Sequence, residues 1–95
     1  MRRLALLATL SLMGHAALAA DAALKPGPGD DTTAATCSAC HTTDYIVMNS
    51  AFLTPDAWKA EVTKMRSAFG APIDDETAAE ITAYLAKNYA GPPKP

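Results

Sequence analysis

The apolar positions in the second half of the chain recur with the period of a helix. Trp58, Val62, Met65 and Phe69 fall within an arc of roughly 60° on a wheel at about 100° per residue, while Lys59, Glu61, Thr63, Lys64, Arg66 and Ser67 lie off it. Thr54-Pro55-Asp56 is a start signal for this helix, with Thr54 as N-cap and Pro55 in the first position; Gly70, followed by Pro72, stops it. The pattern then repeats. Ala78, Ile81, Leu85 and Tyr89 share one face, Asp74, Asp75 and Glu76 cap and charge the start, and Gly91 marks the end. Upstream, Asp30, Asp31, Thr32 and Thr33 offer N-caps for a first helix that carries Ala34 and Ala35 and runs into Cys40. Residues 42–53 (TTDYIVMNSAFL) contain a Tyr-Ile-Val run with a local extended preference. One such run without a partner strand makes no sheet, so the segment reads as a loop. These elements predict an all-α fold of three or four helices.

The apolar pattern has a different character at the start of the chain. Arg2 and Arg3 precede a short apolar run from Leu4 to Met13, and Ala17-Leu18-Ala19 has the form of a signal-peptidase site. Residues 1–19 therefore read as a cleaved secretory signal. The run is too short for a membrane span, which needs roughly 20 residues. Residues 20–30 (ADAALKPGPGD) carry Pro26 and Pro28 beside Gly27 and Gly29, and read as a flexible leader. Residues 31–91 form the one domain, and 92–95 (PPKP) a stiff Pro-rich tail.

Removing the signal changes the charge. The whole chain carries −2, and loss of Arg2 and Arg3 leaves six Lys and Arg against ten Asp and Glu, hence −4. An acidic chain without a basic stripe excludes nucleic acid as a partner. Nothing after residue 20 is apolar and long enough to span or lie in a membrane. The 76 residues from 20 to 95 bury only a modest core, and chains of this size usually need a staple.

Cys37-Ser38-Ala39-Cys40-His41 supplies the chemistry for one. CxxCH is the attachment signature of c-type haem. The two thiols add across the haem vinyl groups as thioethers, and the adjacent histidine is a standard axial ligand to haem iron. Other readings of the pair are open. It fits a thioredoxin-like redox pair, although no βαβ pattern accompanies it. It fits half a zinc site, although Cys, Cys and His make only three ligands. It also fits a structural disulfide in an exported chain. Haem attachment agrees best with export and with helical surroundings. The fold then expected is a small cytochrome c-like one, with three to four helices around one covalently attached haem c. In class I cytochromes c the first and last helices cross, which would put Tyr84 or Leu85 over the Cys37 region.

A six-coordinate iron needs a second axial ligand. His15, Met1 and Met13 leave with the signal, so Met65 and Met48 remain. Met65 sits on the apolar stripe, 24 residues beyond His41, whereas Met48 follows His41 by only seven. Met65 is the better candidate, against the plain role of a core-filling methionine. It departs from the class I habit of carrying this methionine in a loop near a proline. Lys64 and Arg66 flank it and offer partners for a haem propionate, or simply a solvated face. Tyr45 and Trp58 offer propionate contacts too, with core packing the better role for Trp58.

The order of motifs carries a resemblance. CSACHTTDYIVMNSAFL, AWKAEVTKM, FGAPI and a terminal YLAKNYAG together resemble the small monohaem cytochrome subunit of bacterial sulfite dehydrogenase (sulfite:cytochrome c oxidoreductase), over residues 37–91. Similar W-x3-V-x2-M helices occur in other short periplasmic cytochromes. The resemblance implies a periplasmic electron-transfer protein. It would bind a molybdenum-cofactor subunit that oxidises sulfite, and pass electrons to a soluble cytochrome c. It also implies Cys37 and Cys40 as thioether anchors, with His41 and Met65 as axial ligands. Catalysis would belong to the partner. The alternatives are a free monohaem carrier between other periplasmic complexes, and a small haem enzyme or sensor with an open iron site.

Overall fold

The computed structural model describes residues 22–93; the expected signal peptide with its cleavage site, and the last two residues of the tail, lie outside the described residues. Four helices follow one another: α1 (Asp30–Cys37), α2 (Asp44–Asn49), α3 (Pro55–Ser67) and α4 (Asp75–Asn88). There is no strand among the described residues, so the architecture is all-α. None of the described helices is long and apolar enough to cross a membrane.

The two longer helices form where their caps and periodicity place them. Thr54 accepts the Ala57 N–H (3.2 Å), and Pro55 occupies the first position of α3. Asp74 accepts the Thr77 N–H (2.7 Å) at the start of α4, and bonding from Thr77 holds its carboxyl below the usual carboxylate range. Beyond the last turn of α3, Gly70 adopts a left-handed φ of 68°, and the Ala71 N–H turns back to the Met65 carbonyl (2.9 Å). α4 packs on both α3 and α1. The core lies between them and is built from Trp58 and Val62 of α3, Ile81, Tyr84 and Leu85 of α4, and Ile46 of α2. Trp58 donates its indole N–H to the Tyr89 carbonyl (3.0 Å), a buried bond joining the base of α3 to the end of α4.

Four expectations are corrected. α1 stops at Cys37, so Cys40 and His41 stand in the following turn instead of on the helix. Its N-cap is not one of the polar side chains from Asp30 to Thr33 but Gly29, at φ 90°, with no side-chain cap bond. The reason lies in packing. A Cβ on Gly29 would sit 3.0 Å from the Tyr84 Cβ and 3.4 Å from the Glu80 carbonyl, so glycine lets α1 approach α4 closely. Second, residues 44–49 are helical, not a loop. Burial of Ile46 at 3% exposure, and the Asn49 side-chain amide donating to the Tyr45 carbonyl (2.8 Å), outweigh the β-branched local preference. Third, α4 ends at Asn88, so Gly91 does not terminate it. A Cβ on Gly91 would stand 2.5 Å from the Ala51 carbonyl oxygen, and its N–H donates to Leu53 (2.8 Å).

The fourth correction concerns the leader. Its described part before Asp30 lacks helix but is pinned to the domain. The Thr43 hydroxyl donates to the Ala22 carbonyl (2.7 Å), and the Lys25 N–H donates to the Tyr89 hydroxyl (2.7 Å). The Tyr84 hydroxyl donates to the Lys25 carbonyl, and the Lys25 ammonium reaches the Asn88 carbonyl (2.8 Å). Leu24 packs against the core. The segment thus spans from the end of α4 to the turn that precedes α2.

Candidate functional site

The end of α1 and the turn after it border a cleft of about 360 Å³. Cys37, Cys40 and His41 line it from that side, and Met65 and Phe69 line it from α3 and the turn beyond. Its floor is the core itself, through Trp58, Val62 and Leu85. The α3 stripe explains this arrangement. Its first half, Trp58 and Val62, is buried, Met65 is half-buried, and Phe69 is 70% exposed. One apolar face therefore runs from the core out into the cleft. Met48 is 73% exposed on α2 and does not line it. The structure thus brings Cys37, Cys40, His41 and Met65 to one place and leaves Met48 elsewhere.

The titratable groups differ in setting. Burial pushes the Cys37 thiol above its ordinary value, whereas Cys40 is exposed. A reactive thiol pair needs the opposite shift, toward thiolate, so the site is poorly made for thioredoxin-like exchange. Among the described residues no three His, Cys, Asp or Glu side chains come together as a metal site, so Cys37, Cys40 and His41 do not converge as zinc ligands. The exposed His41 ring places Nδ1 3.2 Å from the Thr42 carbonyl. With that nitrogen donating, Nε2 is left as the free lone pair of the ring.

Of the flanking residues, Arg66 is engaged by Asp75 at 2.7 Å. Lys64 borders the cleft and lies 3.5 Å from Glu61. Trp58 spends its N–H on Tyr89, which fits its role as core packing. Two cleft residues escaped sequence reasoning as a pair. Glu61, off the apolar stripe, borders the cleft and accepts a hydrogen bond from the Tyr45 hydroxyl at 3.2 Å. Burial, then the negative charge of Glu61, raises the Tyr45 hydroxyl above its ordinary value. The partners are 16 residues apart, and no motif spacing announces them.

The cleft falls in the ordinary size range of ligand pockets, and its lining is mostly apolar with a few convergent polar groups. An imidazole on one side and a thioether on the other are the donor pair that suits haem iron, and two thiols beside the imidazole are the groups that haem vinyls take up. The residues present therefore fit a haem. No protein-family model matches the chain, and no curated protein matches it.

Proposed function

We propose that the chain is a periplasmic monohaem cytochrome c that transfers electrons. The observation that carries this reading is the meeting of Cys37, Cys40, His41 and Met65 on one apolar cleft. Cys37 and Cys40 would hold the haem through thioethers, and His41 and Met65 would be its axial ligands. Bound there, haem would supply a one-electron iron couple.

The chain's own residues do the rest. With His41 Nδ1 donating to the Thr42 carbonyl, Nε2 would be left for the metal. Met65, on a helix anchored by its own cap and by the Trp58–Tyr89 bond, keeps a thioether available and favours a raised potential. Trp58, Val62 and Leu85 keep water from the floor of the cleft. The apolar floor lowers the local dielectric, which stabilises the less charged state of whatever lies on it. With both His41 and Met65 holding the iron, no position would be left for substrate, which weighs against a small haem enzyme or sensor.

The electron source follows from the resemblance over residues 37–91. We infer a molybdenum-cofactor subunit that oxidises sulfite, with a soluble cytochrome c as acceptor. The test uses the protein gently purified from its native periplasm. Sulfite added to the oxidised preparation should reduce the haem rapidly, because the partner co-purifies. A haem reduced by dithionite but not by sulfite would make the chain a free carrier between other complexes.

A further inference from the structure

The imidazole of His41 stands in an exposed turn, and the backbone holds it by a single bond at 3.2 Å, to the carbonyl of the very next residue. That bond restrains the ring only as firmly as the exposed turn that carries its carbonyl is itself held. A second contact is present. The Tyr45 ring meets the His41 ring edge-on, with centroids 6.0 Å apart and planes at 65°. Tyr45 also meets the Trp58 indole edge-on, at 6.4 Å and 81°. Its hydroxyl is tied to Glu61 Oε2, while Glu61 Oε1 faces Lys64 at 3.5 Å. Both oxygens of this carboxylate are thus engaged. Trp58 in turn is 2% exposed and bonded to the Tyr89 carbonyl. A continuous chain of contacts therefore leads from the α3–α4 core through Trp58 and Tyr45 to His41.

We propose that Tyr45, anchored by Glu61, is a positioning residue that sets the rotational orientation of the His41 ring over the cleft. This rests on the haem reading above. The orientation of a ligating imidazole, together with that of the thioether, would set which iron d orbital carries the unpaired electron in the ferric low-spin state. It therefore decides the pattern of spin density around the macrocycle. Tyr45 references that orientation to the rigid core instead of to the exposed turn. Tyr45 is itself 42% exposed, so its substitution removes little packing.

The test is the order of the four haem methyl resonances in the proton NMR spectrum of the ferric holoprotein, with its electron paramagnetic resonance g-values. Tyr45→Leu removes ring and anchor together, and should reorder the methyl resonances and shift the largest g-value. Tyr45→Phe keeps the ring edge and frees it from Glu61; Glu61→Ala frees it from the other side. Both should give the same smaller displacement. Val47→Ala, at a 42% exposed position of the same helix outside the cleft lining, is the control and should reproduce the wild-type pattern. A wild-type pattern in Tyr45→Leu overturns the proposal, as does an equal change in Val47→Ala. Should Tyr45→Leu fail to fold, Tyr45→Phe and Glu61→Ala decide alone, and wild-type spectra in both overturn it. Failure of the haem reading appears separately, as wild-type protein without covalent haem before any variant is made.

Discussion

Gly29→Ala tests the closest approach in the fold that involves the site-bearing helix. Two costs arise. Gly29 sits at φ 90°, and a non-glycine residue in left-handed backbone costs about 1–2 kcal/mol. The added Cβ would also stand 3.0 Å from the Tyr84 Cβ, on a side chain 2% exposed, and 3.4 Å from the Glu80 backbone carbonyl. Neither neighbour is the free end of a flexible side chain, so α1 must move away from α4, at an overpacking cost of about 1–3 kcal/mol. The sum is about 2–5 kcal/mol. A domain of this size has about 4–11 kcal/mol in all, so the loss is a large share. Gly70→Ala separates the two terms. It has a left-handed φ of 68° with nothing within 4 Å of the added Cβ, and should cost only the backbone part. Urea melts of both holoprotein variants, followed by far-UV circular dichroism, measure the difference. Gly29→Ala should be the less stable by about 1–3 kcal/mol. Equal losses in the two variants would refute the close α1–α4 approach.

Three further outcomes are expected. Thr33 is fully buried and its hydroxyl has no hydrogen-bond partner among the described residues, so Thr33→Val should stabilise the fold by about 1 kcal/mol in the same melts; a loss of that size would mean the hydroxyl is satisfied. The Tyr84 hydroxyl is pushed up to about 12, first by burial and then by the neighbouring Tyr89. Between about pH 10, where an unfolded tyrosine ionises, and pH 12, the unfolded chain releases a proton that the folded one keeps. Stability should therefore be intact below pH 10 and fall as pH rises toward 12, and Tyr84→Phe should flatten that fall in urea melts at pH 9 and 11. Met65→Ala should abolish the methionine–iron charge-transfer band of the ferric protein while Met48→Ala keeps it, and the reverse result would reassign the ligand.

The long helices were legible because several local signals agreed in each. Thr54 and Asp74 cap in fact as in sequence, and the periodic residues Val62, Ile81 and Leu85 are buried. The short helices were not, because tertiary contacts decide them. α2 contains β-branched residues and spans only six positions, and burial of Ile46 from outside the segment makes it helical. α1 has almost no apolar face, so nothing in its pattern pointed to glycine as the cap or to Cys37 as the last residue. The leader looked mobile by composition, yet the hydroxyls of Tyr84 and Tyr89, some 60 residues away, bond its backbone. At the candidate site the same division holds. Cys37, Cys40, His41 and Met65 could be named from spacing and stripe, since each belongs to a local pattern. The Tyr45–Glu61 bond could not, because it joins a short helix that sequence reasoning missed to a charged position off the apolar stripe.

We propose above all that the cleft holds one covalent haem. The most direct measurement is the intact mass of the mature chain isolated from periplasm, with the reduced pyridine haemochrome spectrum of the same sample. The mature chain should be heavier by one haem and give a two-thioether haemochrome, both lost when Cys37 and Cys40 are replaced by serine. A mature chain at its bare polypeptide mass, colourless and unchanged in spectrum by the Cys37→Ser and Cys40→Ser substitutions, would contradict it.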